Sequence, residues 1–242
     1  MAKVLLKALD ILALFDREHP EWAEHEVARE LALPTSTTHR LLRSLEGRGY
    51  VVRTRAGRYR LGPAAVALGR AAADQAVAPA LRAAIERVAA ETGKTALLGV
   101  RHPTGDGLLI LDRIESSHRL RVALDVGHVV PLHAGAASKA LLAHLSPAEI
   151  EPVVAGPLPR VAPGTITDRA ALLRDLERVR RSGHARSCEE SAEGGWTVAA
   201  PVLGLDGQAE AVVGIIAPVA RHSREAEASA VAALSRAVEG AG

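Results

Sequence analysis

The residues of this chain that could do chemistry fall into two groups. Between positions 36 and 60 stand seven arginines and a single acid, Glu46. A block of permanently charged guanidinium groups suits a polyanion, because each presents a planar fork of donors to a phosphate or a guanine edge. A merely solvated surface would usually mix both signs. The second group is His133, His184, Cys188, Glu189, Glu190 and Glu193. A thiol beside a histidine could form a nucleophile pair, and a carboxylate could serve as a general base. A hydrolase or redox enzyme using Cys188 with His133 or His184 is therefore an alternative. Its weakness is that it leaves the arginine block unexplained. Each of these residues also has a plainer reading. Cys188 fits as a small residue in a strand, the glutamates as a solvated acidic turn, and His133 as a hydrogen-bonding group within its own loop. Ser138-Lys139 matches neither a phosphate-binding Walker loop nor an S-x-x-K nucleophile pair. With one cysteine in the chain, a disulfide framework is excluded and a structural zinc site lacks thiols. No metal or cofactor is expected.

The arginine block lies on elements that can be read from the sequence. Leu5, Ala8, Leu9, Leu12 and Phe15 keep the spacing of one helix face, and His19-Pro20 ends that helix. A short second helix turns Val27, Ala28 and Leu31 inward. Ala32-Leu33-Pro34 then makes a tight connection, since Pro34 lacks an amide hydrogen and disfavours helix at Leu33. The third helix buries Thr38, Leu41, Leu42 and Leu45 and projects Ser36, Thr37, Arg40, Arg43 and Ser44. Thr35 or Ser36 is expected to cap it, and Gly47 with Gly49 to stop it. Tyr50–Arg53 and Arg58–Leu61 read as strands around a turn at Thr54–Gly57. Three helices followed by a basic hairpin make a winged helix-turn-helix. On that scaffold Ser36, Thr37, Arg40 and Arg43 would meet base edges, with Thr35 at the start of the helix. Arg53, Arg55 and Arg58 would set the wing on the backbone or a minor groove, assisted by Arg48. His39 could approach a phosphate or pack at the helix–helix junction.

The rest of the chain differs in character. At 242 residues it exceeds a typical single domain, and the net charge of +2 hides an excess of three cations in residues 1–62. Aromatics make up only 2% of residues, so the core has to come from Ala, Val, Leu and Ile. Residues 63–92 read as a helical connector broken at Pro79. Beyond Gly93, strands are expected at Thr95–Arg101, Leu108–Ile114, Leu120–Asp125, His184–Glu189, Trp196–Leu203 and Ala209–Ala217. Helices are expected at Ala136–Leu145, Asp168–Ser182 and Arg224–Glu239, and Val153–Gly164, with its prolines, reads as a surface loop. The fold class is thus α+β: residues 1–62 bind DNA, 63–92 connect, and 93–242 form a sensory domain around a mainly antiparallel sheet. No leader and no apolar run near the ~20 residues of a membrane span is evident, so a cytoplasmic setting without membrane attachment is expected.

With these elements assigned, the sequence resembles the IclR family of bacterial transcriptional regulators. The matching text begins with Lys7-Ala8-Leu9-Asp10-Ile11-Leu12. It continues through Leu33-Pro34-Thr35-Ser36-Thr37-Thr38-His39-Arg40-Leu41-Leu42, Leu45-Glu46, Gly49-Tyr50 and Gly57-Arg58-Tyr59-Arg60-Leu61-Gly62. Later matches are Pro131-Leu132-His133-Ala134, Ser138-Lys139-Ala140-Leu141-Leu142, Gly183, Glu189-Glu190, Gly194, Ala199-Ala200-Pro201-Val202 and Asp206-Gly207. They cover nearly the whole chain in the expected order. Two positions depart from the family pattern: Thr35 stands where a basic residue is common, and Ala32 where a glycine is common.

The resemblance implies a homodimer on a roughly palindromic double-stranded operator, often assembled into a homotetramer. It also implies a GAF-like domain that binds a small-molecule effector and modulates operator binding. The lining of the effector pocket is implied on three segments. One runs from Val130 through His133 to Ala136 and Ala137. A second holds Ser187, Cys188 and Thr197, with Trp196 between. The third carries Gly214 and Ile216. Relatives that sense small oxo-acids tend to carry an acid, a thiol and serines at the positions of Ser187, Thr197, Gly214 and Ile216. Here Gly214 and Ile216 offer no side-chain hydrogen bond, so a larger or less polar effector is expected, such as an aromatic or acyl compound or another catabolic organic acid. A DNA-binding protein that needs no effector is a further alternative.

Overall fold

The computed structural model describes residues 2–16, 19–105, 107–118, 122 and 124–240. The chain forms two compact units, Met1–Gln75 and Ala76–Gly242.

In the first unit, α1 (Ala2–Ala13), α2 (Glu24–Glu30) and α3 (Thr35–Gly47) precede a hairpin of β1 (Val51–Arg53) and β2 (Tyr59–Leu61), and α4 (Pro63–Ala76) follows. The core gathers Ile11, Phe15, Val27, Leu41, Leu42, Val51 and Tyr59. On α1 the buried residue is Ile11, followed just past the helix by Phe15, whereas Leu5 and Leu9 are exposed. The helix is apolar nearly all round, so spacing alone admits several faces, and packing against α3 selects one. No hydroxyl caps α3. Its N-cap is Pro34, Thr35 is already the first helical residue, and the Thr38 hydroxyl donates to the Pro34 carbonyl at 3.3 Å. At the other end Gly49, with φ +73, lets its own amide bond Glu46 and the Tyr50 amide bond Leu45, so Gly49 rather than Gly47 stops the helix. The turn before α3 is tight enough to hold Ala32 at φ +49. The left-handed region is costly for a residue with a Cβ.

The second unit is a six-stranded sheet of order β5-β4-β3-β8-β7-β6 with every pair antiparallel. Its strands are β3 (Thr95–Arg101), β4 (Gly107–Ile114), β5 (Val129–Pro131), β6 (Ala185–Cys188), β7 (Gly195–Leu203) and β8 (Ala209–Pro218). On one face α5 (Pro79–Thr92) and α9 (Arg224–Glu239) bury Ile85, Val88, Ala230 and Leu234 against Leu98, Trp196, Val198 and Ile215. On the other face lie α6 (Ala136–Leu142), α7 (Pro147–Ala155) and α8 (Arg169–Ser182), packed on Leu97, Leu108, Ala199, Val212 and Ile216. This is the GAF-like, mainly antiparallel architecture. Small Ala, Val and Leu side chains suffice for the core because sheet and helices approach closely on both faces.

Two expectations shift. Within Leu120–Asp125, residues 120, 121 and 123 lie outside the described residues, and Val122, Leu124 and Asp125 are not in a strand. The edge strand is Val129–Pro131 instead, pairing Leu108 with Val130; the Arg113 guanidinium holds the Leu124 carbonyl and Asp125 away from the ladder. Pro131 is tolerated there because an edge strand leaves one side unpaired. The start of the proline-containing loop is helical, since α7 runs on to Ala155. Pro147 opens that helix, and the Ser146 amide donates to Glu149 at 3.0 Å.

Candidate nucleic-acid interface and effector site

On α3, the residues facing away from the core are Ser36, His39, Arg40, Arg43 and Ser44, all exposed, with Thr35 exposed at the first turn and Thr37 half-buried. Three of them have partners. The Ser44 hydroxyl donates to the Arg40 carbonyl at 2.9 Å. His39 Nδ1 lies 3.0 Å from Glu24 of α2, and Arg43 pairs with Glu46 at 3.1 Å. Among the described residues, the side chains of Arg40, Arg48, Arg55 and Arg60 make no hydrogen bond or ion pair. An exposed guanidinium without a protein partner gives up little to take a phosphate or base.

The hairpin splits its arginines by task. Thr54 and Gly57 close the turn, with Gly57 at φ +77, and leave Arg55 exposed at the tip. Arg53 lies over the Tyr59 ring at 5.9 Å and donates to the Gly57 carbonyl at 3.4 Å. Arg58 points back into the protein: it reaches Glu26 at 2.7 Å and the Glu21 carbonyl at 2.9 Å. Glu26 is shared, because the same carboxylate oxygen accepts from the Ala23 amide at 2.8 Å and so finishes the start of α2. That amide first, and Arg58 second, hold the Glu26 carboxyl below the ordinary carboxylate range. Arg58 therefore fastens the wing to α2, and the outward cation of β2 is Arg60, exposed beside the buried Tyr59. Strand alternation around the buried Tyr59 marks Arg58 and Arg60 alike as outward, and only the contact of Arg58 with Glu26 separates them.

In the sensory unit, strand register decides which of the implied pocket residues share a face. Ser187 pairs with Thr197, Thr197 with Ile216, and Ile216 with Thr95; the next row joins Ala185, Ala199, Gly214 and Leu97. Ser187, Thr197, Gly214 and Ile216 thus lie on the α6 face. The Ser187 hydroxyl accepts from the Ala136 amide at 3.0 Å, which brings the first turn of α6, with buried Ala136 and Ala137, onto that row. Cys188 pairs with Trp196, and both side chains belong to the opposite face. There Trp196 is buried in the α5–α9 core, edge-on to His222. Cys188 is exposed, and burial of the thiol followed by Glu189 and Glu190 raises its pKa, the wrong direction for a nucleophile. His133 is buried and turned to the Pro159 carbonyl at 2.9 Å, and His184 bonds Ser182 and Arg186. Val130 is buried on β5, at the sheet edge opposite β6.

The sequence assigns no role to Lys139 or Asp175 and offers Glu190 as a general base or as part of a solvated acidic turn. Lys139 is fully buried, 2.6 Å from Glu190 and 2.7 Å from Asp175, and also reaches the Arg186 carbonyl. Glu190 in turn accepts from the Gly135 amide at 3.2 Å. Gly135, at φ +85, has room for no side chain, because a Cβ would lie 2.6 Å from the Ser191 hydroxyl. Burial pulls the Lys139 ammonium below the ordinary lysine range, against the opposing pull of Glu190. The network ties the start of α6 to α8 and to the β6–β7 loop. Glu190 is therefore a buried ion-pair partner, not part of a solvated acidic turn.

Comparison with known proteins gives a consistent picture. The helix-turn-helix profile of IclR regulators matches residues 4–55, and the profile "Bacterial transcriptional regulator IclR C-terminal" matches residues 70–240. The chain is 33% identical over 224 residues to the HTH-type transcriptional regulator BhcR of Paracoccus denitrificans, covering 91% of this chain and 79% of that one. A regulator of this type from Alicyclobacillus acidocaldarius superposes with a TM-score of 0.87 at 28% identity, over 98% of this chain and 96% of the other. A homologue from Microbacterium hydrocarbonoxydans, solved with 4-hydroxybenzoate, gives a TM-score of 0.78 at 27% identity, over 98% and 96% of the two chains.

Proposed function

This chain belongs to the IclR family of bacterial transcriptional regulators, with a DNA-binding helix-turn-helix domain and an effector-binding C-terminal domain, and from that premise we propose how it reads DNA and what it senses. Arg40 is the leading base contact, with Ser36, Thr37 and Arg43 beside it on α3 and Thr35 and His39 toward the flanking phosphates. Arg48, Arg53, Arg55 and Arg60 hold backbone or minor groove, and Arg58 positions the wing from behind. The observation that carries this reading is the exposed face of α3, on which the Arg40 guanidinium has no partner among the described residues. Fluorescence anisotropy on operator DNA with Arg40→Ala tests it. Loss of affinity with an unchanged melting temperature is expected, and full-strength binding would remove Arg40 from the interface.

The operator is roughly palindromic and the protein binds it as a homodimer or a pair of dimers. Exposed Val4, Leu5, Leu6 and Leu9 on α1 support self-association, because a monomer seldom leaves such a patch in water. Functionally the chain divides into 1–62 for DNA, 63–92 as connector and 93–242 for the effector. Since α5 buries Ala84, Ile85 and Val88 in the sensory core, a signal has to pass through the α4–α5 junction.

The effector lies on the α6 face over Ser187, Thr197, Gly214 and Ile216, with Ala136 and Ala137 opposite. Gly214 offers no side-chain hydrogen bond, Ile216 is apolar, and the Ser187 hydroxyl is engaged by Ala136, which favours an aromatic or acyl body over a small oxo-acid. The 4-hydroxybenzoate on the Microbacterium homologue supports that class. The protein acts in the cytoplasm and catalyses no reaction; no helix of the described residues is long and apolar enough to cross a membrane.

A further inference from the structure

Where β3 begins and β8 ends, the sheet opens on a cavity of about 60 Å³. The left-handed Gly93 ends α5 and delivers Lys94 to its rim, and the short 3-10 turn Val219–Arg221 after β8 returns Arg221 to it. His118 adds an imidazole to the rim, while Ile216, Ala217 and Pro218 supply an apolar wall. Lys94 Nζ reaches the Thr92 carbonyl at 3.3 Å and lies 5.8 Å from the Trp196 ring. Burial first, and Arg221 second, push the Lys94 ammonium down. Among the described residues, no carboxylate lines the cavity and none pairs with the side chains of Lys94, His118 or Arg221. At the floor Thr95 is 1% exposed. Its hydroxyl oxygen accepts from the Ser116 amide at 3.1 Å, and its hydroxyl hydrogen has no acceptor among the described residues.

Two cations held together at a hollow without a counter-ion repel each other, and an anion between them reverses the sign of the interaction. The buried Thr95 hydroxyl, which lines the same cavity, has a hydrogen free to donate. The volume holds only a few water-sized groups, enough for an acid head but not for a whole aromatic acid. A phosphate would want donors on all sides, whereas this cavity has one apolar wall. Ile216 belongs both to that wall and to the Ser187–Thr197–Ile216 row. We infer that the sheet-end cavity takes the carboxylate of a small organic acid, with Lys94 and Arg221 as its charge partners, Thr95 as its donor and the carbon body of the acid lying on Ile216. The assignment rests on the reading of this domain as an effector domain and names the anchor of that effector.

Calorimetry on the full chain tests it with acetate, benzoate and 4-hydroxybenzoate as probes, benzamide as the uncharged counterpart and inorganic phosphate as the competing anion. At least one acid is expected to bind more tightly than benzamide. Lys94→Gln and Arg221→Gln should each weaken that acid by about tenfold to a hundredfold, while the surface variant Arg236→Gln leaves it unchanged. The unliganded Lys94→Gln and Arg221→Gln proteins should melt no lower than the parent, because each loses a like-charge repulsion. Equal acid binding by the parent and both variants would overturn the cavity assignment while leaving the effector domain intact. Phosphate binding in place of the acids would overturn the carboxylate. If none of the three acids binds, the inference fails. Operator binding that then still responds to an uncharged compound would keep the broader reading alive.

Discussion

Arg40 and Arg58 show how residues of one type, eighteen positions apart, come to different work. Both stand in the same basic block, and composition gives no reason to separate them. Arg40 projects from α3 with a guanidinium that has no partner among the described residues, whereas Arg58 is held by Glu26 and the Glu21 carbonyl. Replacing Arg40 by alanine should weaken operator binding by ~1–3 kcal/mol if its guanidinium forks onto a guanine edge, measured by anisotropy with thermal melting as the control. Lys139 offers a second test at this scale. Lys139→Met keeps the volume but removes the buried cation from Glu190, left with only the Gly135 amide, and from Asp175, left with Arg178, at a cost of about 3–5 kcal/mol. Urea unfolding followed by Trp196 fluorescence measures it. A loss within experimental error would mean that the network is hydrated and not structural. No sequence pattern pointed to this triad, because its three members are 36 and 15 positions apart along the chain and meet only when α6, α8 and the β6–β7 loop close.

Elements carry their own strains and switches. The turn between α2 and α3 holds Ala32 at φ +49, a conformation that glycine adopts freely. Ala32→Gly should therefore stabilise the N-terminal unit by about 1 kcal/mol, read from the Trp22 fluorescence transition in a Trp196→Phe background. An unchanged or lower midpoint would show that the extra chain entropy of glycine outweighs the relief. The wing responds to acid through Glu26. Its carboxyl titrates lower in the fold than in the open chain, so it stabilises the folded unit above the ordinary carboxylate range. That contribution fades as the pH falls through this range toward the folded value. Acidification should thus release the hairpin from α2 and change Trp22 emission, since Trp22 pairs with Tyr59 of β2. Glu26→Gln should flatten that pH response, and an identical response in the variant would place the acid sensitivity elsewhere.

At the scale of the whole protein, the charge asymmetry becomes a measurable property. If each half-site neutralises about six phosphates, log K for operator binding should fall with log salt at a slope of roughly −5 per half-site. A slope near zero would contradict a phosphate-seeking N-terminal unit. The two-unit division follows the change in sequence character closely, but the connector is not uniform. α4 belongs largely to the first unit and α5 to the second, where Ile85 and Val88 are fully buried. Helical propensity in residues 63–92 is similar on both sides of Pro79, and only the presence of a sheet face for α5 distinguishes them.

What the amino-acid order determines here is local: helix spacing, turn glycines, strand alternation and the run of arginines are properties of neighbours, and they sufficed for both domain types and for the exposed arginine face of the third helix. Register and closure are decided by contacts between distant segments. A strand carries two faces, and alternation alone does not say which one meets α6; pairing with β6 and β8 put Ser187, Thr197, Gly214 and Ile216 on that face and Cys188 with Trp196 on the other. The same holds for the wing, where an arginine faces outward or inward according to whether a carboxylate on α2 waits beneath it. Side-chain chemistry sets what each group can bind, and the tertiary fold, by placing or withholding a partner, sets which groups remain available.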